Sequence, residues 1–488
     1  MSHDNELGEM AQTKSYLGTP KQIICKFVMF AVFFSLNHGC VTGVLAYVQE
    51  FFTDVGPTSV AVLYGLYTGT ALLLAAIIVD WATYKYALLG GLTLYCLYVA
   101  CYAVGGGFPE VRTPVILTGA AIGGFSAGFL WTAQGPYFKA FSEQYALATN
   151  SPQEKVTGLF AGIFAFCYLG CEVLLKIAAK PAFEGDDISL QSTGVVGLFS
   201  GYAVVSIVSC IGIMFVPEIP VPTASAKTPW YKKVVSVLKL LVTNPRVILL
   251  GPAQCSFGFC VELMGLYVAV EVAKCSGDFG VDVMPYIPWM VTSIPALAAI
   301  LQVPSGLLVK SLGNKAVVTM MCLGQAAFIA MGAICVFVSR DTLASWGVSI
   351  IVIFILQGIG RAAYEGANRA TYANMFKKED SSAAFASMTL FGGVASTIAY
   401  ATFQNFLVPE STNTSTCIYA GKDVPNYDGV VMGWICLITG IVGIVFYILA
   451  LIVDAKCKPK DEDDNSSQMP EACVEDGSRE RKSSFEKM

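Results

Sequence analysis

A chain of 488 residues that is 55% hydrophobic and only 13% charged holds about half the charged side chains of a soluble domain, which carries roughly 25%. Its mean hydropathy is +0.62, and its net charge of −5 comes largely from a tail that opens with Asp461, Glu462, Asp463 and Asp464. These features exclude a soluble globular fold and a nucleic-acid partner, and make the lipid bilayer the chain's first partner.

Residues 1–22 are polar and read as a cytoplasmic segment. No cleavable leader is expected, because the first apolar run is too long for a signal-peptide core and stays as an anchor. Six apolar runs follow: Ile23–Val48, Thr58–Val79, Ala87–Val104, Pro114–Ala133, Thr157–Ala179 and Thr193–Val216. Residues 217–246 then interrupt with a polar linker, in which Pro229–Asn244 predicts a helix lying along the membrane surface. Its apolar side carries Trp230, Val234, Val237, Leu238 and Leu241, and Lys232, Lys233 and Lys239 supply its charge. Six more runs complete the chain: Val247–Val270, Pro285–Val309, Ala316–Val338, Leu343–Ala363, Ala383–Phe406 and Val430–Val453. Residues 454–488 are acidic, Ser-rich and poor in aromatics, and read as a disordered cytoplasmic tail. A hydrocarbon core about 30 Å thick needs roughly 20 apolar residues per helix. The pattern therefore predicts an all-α membrane protein of twelve transmembrane helices in two six-helix pseudo-repeats, 23–216 and 247–453, as secondary transporters are built.

Basic residues orient the bundle. With both termini cytoplasmic, Arg112, Lys176, Lys180, Lys274, Arg340 and Lys422 are the only ones of 30 Lys and Arg to fall outside, as the positive-inside bias demands. Asn413-Thr414-Ser415, a glycosylation acceptor, then lands on the exoplasmic side. So do Cys275 and Cys417, a possible disulfide pair, whereas most other cysteines lie inside apolar runs and act as small hydrophobes. Whether the membrane is the plasma membrane or an endomembrane is not read from the sequence.

Charged motifs recur in the two halves. Asp80-Trp81-Ala82-Thr83-Tyr84-Lys85 follows the second run, and Lys310-Ser311-Leu312-Gly313-Asn314-Lys315 follows the eighth. A tight turn with a charge at each end, repeated in this place, resembles the loop signature of the major facilitator superfamily. That resemblance implies that Asp80, Lys85 and Lys310 latch neighbouring helix ends. The second copy departs from the pattern, with Lys310 where an acid is usual. The first lacks the glycine and the paired arginines. Glycines four apart, such as Gly124 with Gly128 and Gly158 with Gly162, predict close helix contacts.

The most distinctive stretch, Gly128-Phe129-Leu130-Trp131-Thr132-Ala133-Gln134-Gly135-Pro136-Tyr137-Phe138, closes the fourth run with a tryptophan, an amide and a Gly-Pro break. It resembles the Leu-Trp-x-x-Gln-Gly-x-Tyr element of the Unc-ninety-three-like family, a branch of the major facilitator superfamily. Residues 358–366 in the tenth run look like its second-half counterpart. The resemblance implies a twelve-helix major facilitator fold from Ile23 to Val453. Members of the family are linked to regulating potassium channels or escorting membrane receptors, so a channel or receptor subunit becomes a candidate partner.

Ionisable groups inside apolar runs are costly and point to function. His38, beside Asn37, falls near the middle of the first run, and Glu262 occupies the equivalent seventh run. With Trp131 and Gln134 they are the candidates for a central cavity that binds a small solute, an ion or a proton. The alternative for His38 and Glu262 is a packed polar pair without turnover. Glu172 and Lys176, one helical turn apart, predict a local ion pair near the outer end. Arg361, Glu365 and Arg369 recur every four residues at the expected cytoplasmic end of the tenth run, where they are candidates to clamp an inner gate. Pro288, Pro295 and Pro304 interrupt the eighth run. No phosphate loop, HExxH or paired CxxC occurs, so no enzyme, cofactor or metal site is expected. Two functions stand: a solute or ion carrier working by alternating access, and a non-transporting accessory subunit of a channel or receptor.

Overall fold

The computed structural model describes residues 17–52, 55–178, 193–219, 230–376, 380–405, 418–419, 422–423 and 429–457. The helices are α1 Pro20–Phe51, α2 Gly56–Leu73, α3 Ala75–Gly107, α4 Arg112–Thr149, α5 Gln153–Ala178 and α6 Thr193–Met214. A linker helix, Trp230–Thr243, leads to α7 Pro245–Glu262, α8 Ile287–Leu312, α9 Asn314–Phe337, α10 Ile351–Ala363, α11 Ser381–Asn405 and α12 Gly429–Cys457. Local chemistry sets several starts. Thr19 and Gln22 form a capping box ahead of Pro20 at the mouth of α1. Asn244 caps α7 by accepting from the Arg246 amide, with Pro245 in the first turn.

Among the described residues eleven helical stretches are long and apolar enough to cross a membrane, with Thr58–Leu73 shorter. The twelfth crossing emerges from the backbone of α3. Thr83 takes φ 64° and ψ 165° inside it, a conformation rare for a β-branched residue. Residues 75–82 thus prolong α2, and 84–107 form the third crossing. The tight turn expected over Asp80–Lys85 is compressed into this one residue.

Two long helices differ from expectation. The fourth run does not end at a Gly-Pro break: α4 continues unbroken through Pro136 to Thr149, 38 residues in all. Proline removes a single amide donor, and in a membrane bundle neighbouring helices make good the loss. The tenth span does not end at Ala363 either. A π turn, Tyr364–Asn368, passes it into Arg369–Met375, so Arg361, Glu365 and Arg369 lie along its middle instead of at its end. Ahead of it, Arg340–Ser345 is a separate short helix capped by Ser339.

The end of the bundle that carries the linker helix is called the linker end here, and the opposite one the distal end. The two halves meet where α5 runs along α8, and where α2 and α4 pack on α11. Small residues permit the approach: a Cβ on Gly158 would collide with Val309, and one on Gly135 with the Phe385 ring. Beneath this seam the first half is packed with aromatics, including Phe27 against Phe160 at 4.6 Å and Phe30 against Tyr137 at 4.9 Å between ring centres. At the distal end a two-strand hairpin pairs Ile418 with Asp423 and Tyr419 with Lys422, and its first strand lies against Ala273–Cys275. Cys275 is disulfide-bonded. Asn413 and Cys417 lie outside the described residues, as do 1–16 and 458–488.

Candidate central cavity

A cavity of about 800 Å³ lies between the halves. Its walls come from residues 38–47 of α1, 60–67 of α2 and 168–176 of α5, and from 257–270 in and beyond α7 and 388–400 of α11. All of these belong to the middle or distal portions of their helices. Asp282, Met284 and Trp289 form its distal rim. The cavity therefore opens at the distal end and stops near mid-bundle.

The floor is built around Trp131, which the Leu-Trp-x-x-Gln-Gly element of α4 brings to the centre. Its ring meets His38 edge-on at 4.9 Å, and the Arg369 guanidinium sits 4.7 Å from its centroid. A cation over an indole face, out of water, is held by the ring quadrupole. Arg369 also donates to Gln134 Oε1 at 2.8 Å and pairs with Glu365 at 3.0 Å. One second-half arginine is thus fixed by α4 of the first half and by its own helix. Gln134 is fully buried beneath the cavity and does not line it.

Above the floor a second arginine spans the halves. Arg361 Nη1 donates to Glu172 Oε1 at 3.0 Å, and Nη2 meets Oε2, so the fork is bidentate. Glu172 also holds Lys176 at 2.8 Å. The local pair read from the sequence is present, and the structure adds the third member from α10.

His38 and Glu262 both line the cavity. His38 stacks on Tyr168 at 5.3 Å, and its Nδ1 has no hydrogen-bond partner. Glu262 is 2% exposed, with Tyr400 and Ser396 beside it and Oε1 unpartnered. The π segment Leu263–Val272 begins directly after it, a distortion that often marks a functional site. Asn37, by contrast, turns away from the cavity. Its amide donates to the Ser206 and Leu92 carbonyls at 3.1 and 3.3 Å, pinning α1 to α6 and α3.

The other motif residues are placed at the linker end. Lys85 donates to the Met214 carbonyl at 2.9 Å, tying α3 to the end of α6. Asp80 lies three residues before the Thr83 turn, and Lys310 is exposed three residues before Gly313, whose φ is 60°. Sequence reading missed Lys139, which is buried on α4. Its Nζ contacts the Phe376 carbonyl at the end of the tenth span, where the helix dipole favours a cation. A charged residue two places after Tyr137 was the available signal, hidden by ending the helix at Ala133. Arg246 closes the second half nearby, on Asp454 at 3.0 Å and the Met375 carbonyl at 2.9 Å.

The model of the family described as ion channel regulatory protein UNC-93 matches residues 52–417. No match to an individual curated protein was found. Among solved structures, the chain is similar to the major facilitator superfamily proton:xylose symporter XylE bound to 6-bromo-6-deoxy-D-glucose. The identity is 14% and the TM-score 0.61, over 88% of this chain and 94% of that one. The transporter FucP in its outward conformation shares 13% identity at TM-score 0.58, over 87% and 98%. A variant of the nucleoside transporter NupG shares 11% at TM-score 0.55, over 88% and 99%. At such identities the likeness shows the fold, a twelve-helix major facilitator bundle.

Proposed function

Since the chain belongs to the UNC-93 family, we propose that this multi-pass membrane protein is a carrier that exposes its central cavity alternately at the distal and linker ends. The observation that carries the reading is the cavity itself: among the described residues it opens at the distal end and stops near mid-bundle, and paired arginines at its base join the halves. A dry packed bundle has no need of buried charges at mid-membrane, where each costs a few kcal/mol or more unless paired. Rocking of the halves would break the Gly158–Val309 and Lys139–Phe376 contacts and close the distal walls. The Lys and Arg bias supports a cytoplasmic linker end, and thus an outward-open state. The hairpin beside Cys275 supports Cys417 as its disulfide partner.

The family's description favours a second reading, in which the same bundle binds an ion channel without transport. Two experiments separate them. Thiol labelling of Trp289→Cys at the distal rim and Ala384→Cys at the linker end, with no ligand added, is expected to be reciprocal across conditions that bias the bundle. Proteoliposomes carrying the purified chain are expected to take up at least one solute from a panel of organic cations, organic anions and sugars. Labelling frozen in one pattern, together with no uptake and co-purification of a channel subunit, would replace the carrier with the accessory role.

A further inference from the structure

The cavity's buried cations are matched by carboxylates of the protein: Arg361 and Lys176 share Glu172, and Arg369 holds Glu365. Glu262 is the reverse case. It is a carboxylate in the cavity wall, with Oε1 unpartnered and no cation paired to it among the described residues. Its surroundings are aromatic. Tyr64, within electrostatic reach of Glu262, stacks with Tyr400 at 6.1 Å. Phe257 stacks with Tyr364 at 3.7 Å, and all four rings line the same cavity.

Resting on the carrier reading, we propose that the solute is an organic ammonium ion, with Glu262 as its counter-charge and the tyrosine rings as its walls. Aromatic faces attract a cation and reject an anion. A lone buried carboxylate equally penalises an anionic solute. A sugar would use the cavity's hydroxyls and the Gln357 amide but would leave the Glu262 carboxylate without a counter-charge, which an ammonium ion supplies. A bare metal cation is a poor match too. Such ions take about six or more oxygen ligands at roughly 2.0–2.6 Å, whereas Glu262 has two hydroxyls beside it in a cavity of about 800 Å³.

The test is ligand-dependent thermal stabilisation of the purified full-length chain in detergent. Choline and tetramethylammonium chloride are compared with glucose, sodium glycerate, NaCl and KCl at matched ionic strength. Choline or tetramethylammonium is expected to raise the unfolding midpoint with dose, by roughly 2 °C near saturation, and the other compounds to leave it unmoved. Glu262→Gln should abolish the shift and Glu262→Asp retain part of it, while Asp341→Asn, outside the cavity, should leave it intact. If Glu262→Gln fails to fold, Tyr64 carries the test: Tyr64→Phe should keep the shift and Tyr64→Leu lose most of it. Stabilisation by glucose or glycerate that survives Glu262→Gln overturns the ammonium assignment and leaves alternating access standing. A shift with NaCl or KCl alone, or with no compound, overturns the assignment as well. The carrier reading is tested separately, by the ligand-free labelling together with the uptake panel and the search for a channel subunit.

Discussion

Arg361 and Glu172 stand 189 positions apart in the chain and meet as a bidentate pair in the cavity wall, α10 of one half against α5 of the other. Glu172 is 2% exposed at its side chain and Arg361 14%, so the link is largely withdrawn from water. Such a pair contributes little net stability against an apolar replacement, but removing one member strands the other. What the pair fixes is geometry: it joins α10 of one half to α5 of the other in the arrangement observed.

Breaking that pair on one side is expected to be worse than deleting it together with Lys176. Arg361→Gln leaves Glu172 with Lys176 alone and should cost up to about 3 kcal/mol, read as a clear fall in the midpoint of thermal unfolding. Glu172→Gln added to Arg361→Gln would in turn strand the buried Lys176. Recovery of more than half of the fall is therefore expected only when Lys176→Gln is included and all three charges are gone. Losses that simply add across the three substitutions would show that these residues do not act together.

The packing at Gly158 offers a steric test of the cycle. A leucine there cannot coexist with Val309 in the observed arrangement, and overpacking of this kind costs about 1–3 kcal/mol. That bias corresponds to a population shift of roughly 5- to 150-fold. In Gly158→Leu, labelling of Trp289→Cys should fall and labelling of Ala384→Cys should rise. Unchanged labelling at both positions would mean that the seam between α5 and α8 does not open.

Gln254 of α7 and Asn368 of the π turn exchange two amide hydrogen bonds, at 2.8 and 2.9 Å, and both are fully buried. Gln254→Leu leaves the Asn368 amide without its main partner, a loss of about 1–3 kcal/mol. Replacing both by leucine should restore much of the stability, because an apolar pair of similar shape carries no orphaned donor. Detergent-resistant, monodisperse protein after a fixed heat step is the measurement. A double variant weaker than the single one would contradict this account.

Orientation has its own check. Asn413→Gln is expected to abolish the mobility shift produced by a glycosidase, and Asn465→Gln, in the second acceptor motif Asn465-Ser466-Ser467 of the tail expected to be cytoplasmic, to leave it unchanged. The opposite pattern would put the linker end outside and turn the distal cavity mouth toward the cytoplasm.

The number and order of the spans were legible because a bilayer demands runs of apolar residues whatever their neighbours. The pair Glu172–Lys176 was legible for a similar reason, since residues four apart on a helix always meet. The errors occur where hydropathy and helix continuity part company. Pro136 looked like an end to α4, and the polar π turn at Tyr364–Asn368 looked like an end to the tenth span. Both lie where neighbouring helices, not lipid, surround the backbone. Lys139 and the mid-helix placing of Arg361 and Arg369 were lost with those boundaries.

By itself, then, the sequence determined the lipid-facing economy of this protein: how many helices, in what grouping, with His38, Glu172 and Glu262 inside them. Tertiary structure alone decided the partners. Arg361 reaches Glu172, Arg369 settles on Trp131 and Gln134, Asn37 turns to α6, and Glu262 is left facing an aromatic wall. The physical reason is range. Hydropathy and helical spacing act within a turn or a span, whereas a charge buried in a low-dielectric interior is stabilised by whichever group the packing of distant helices brings to it.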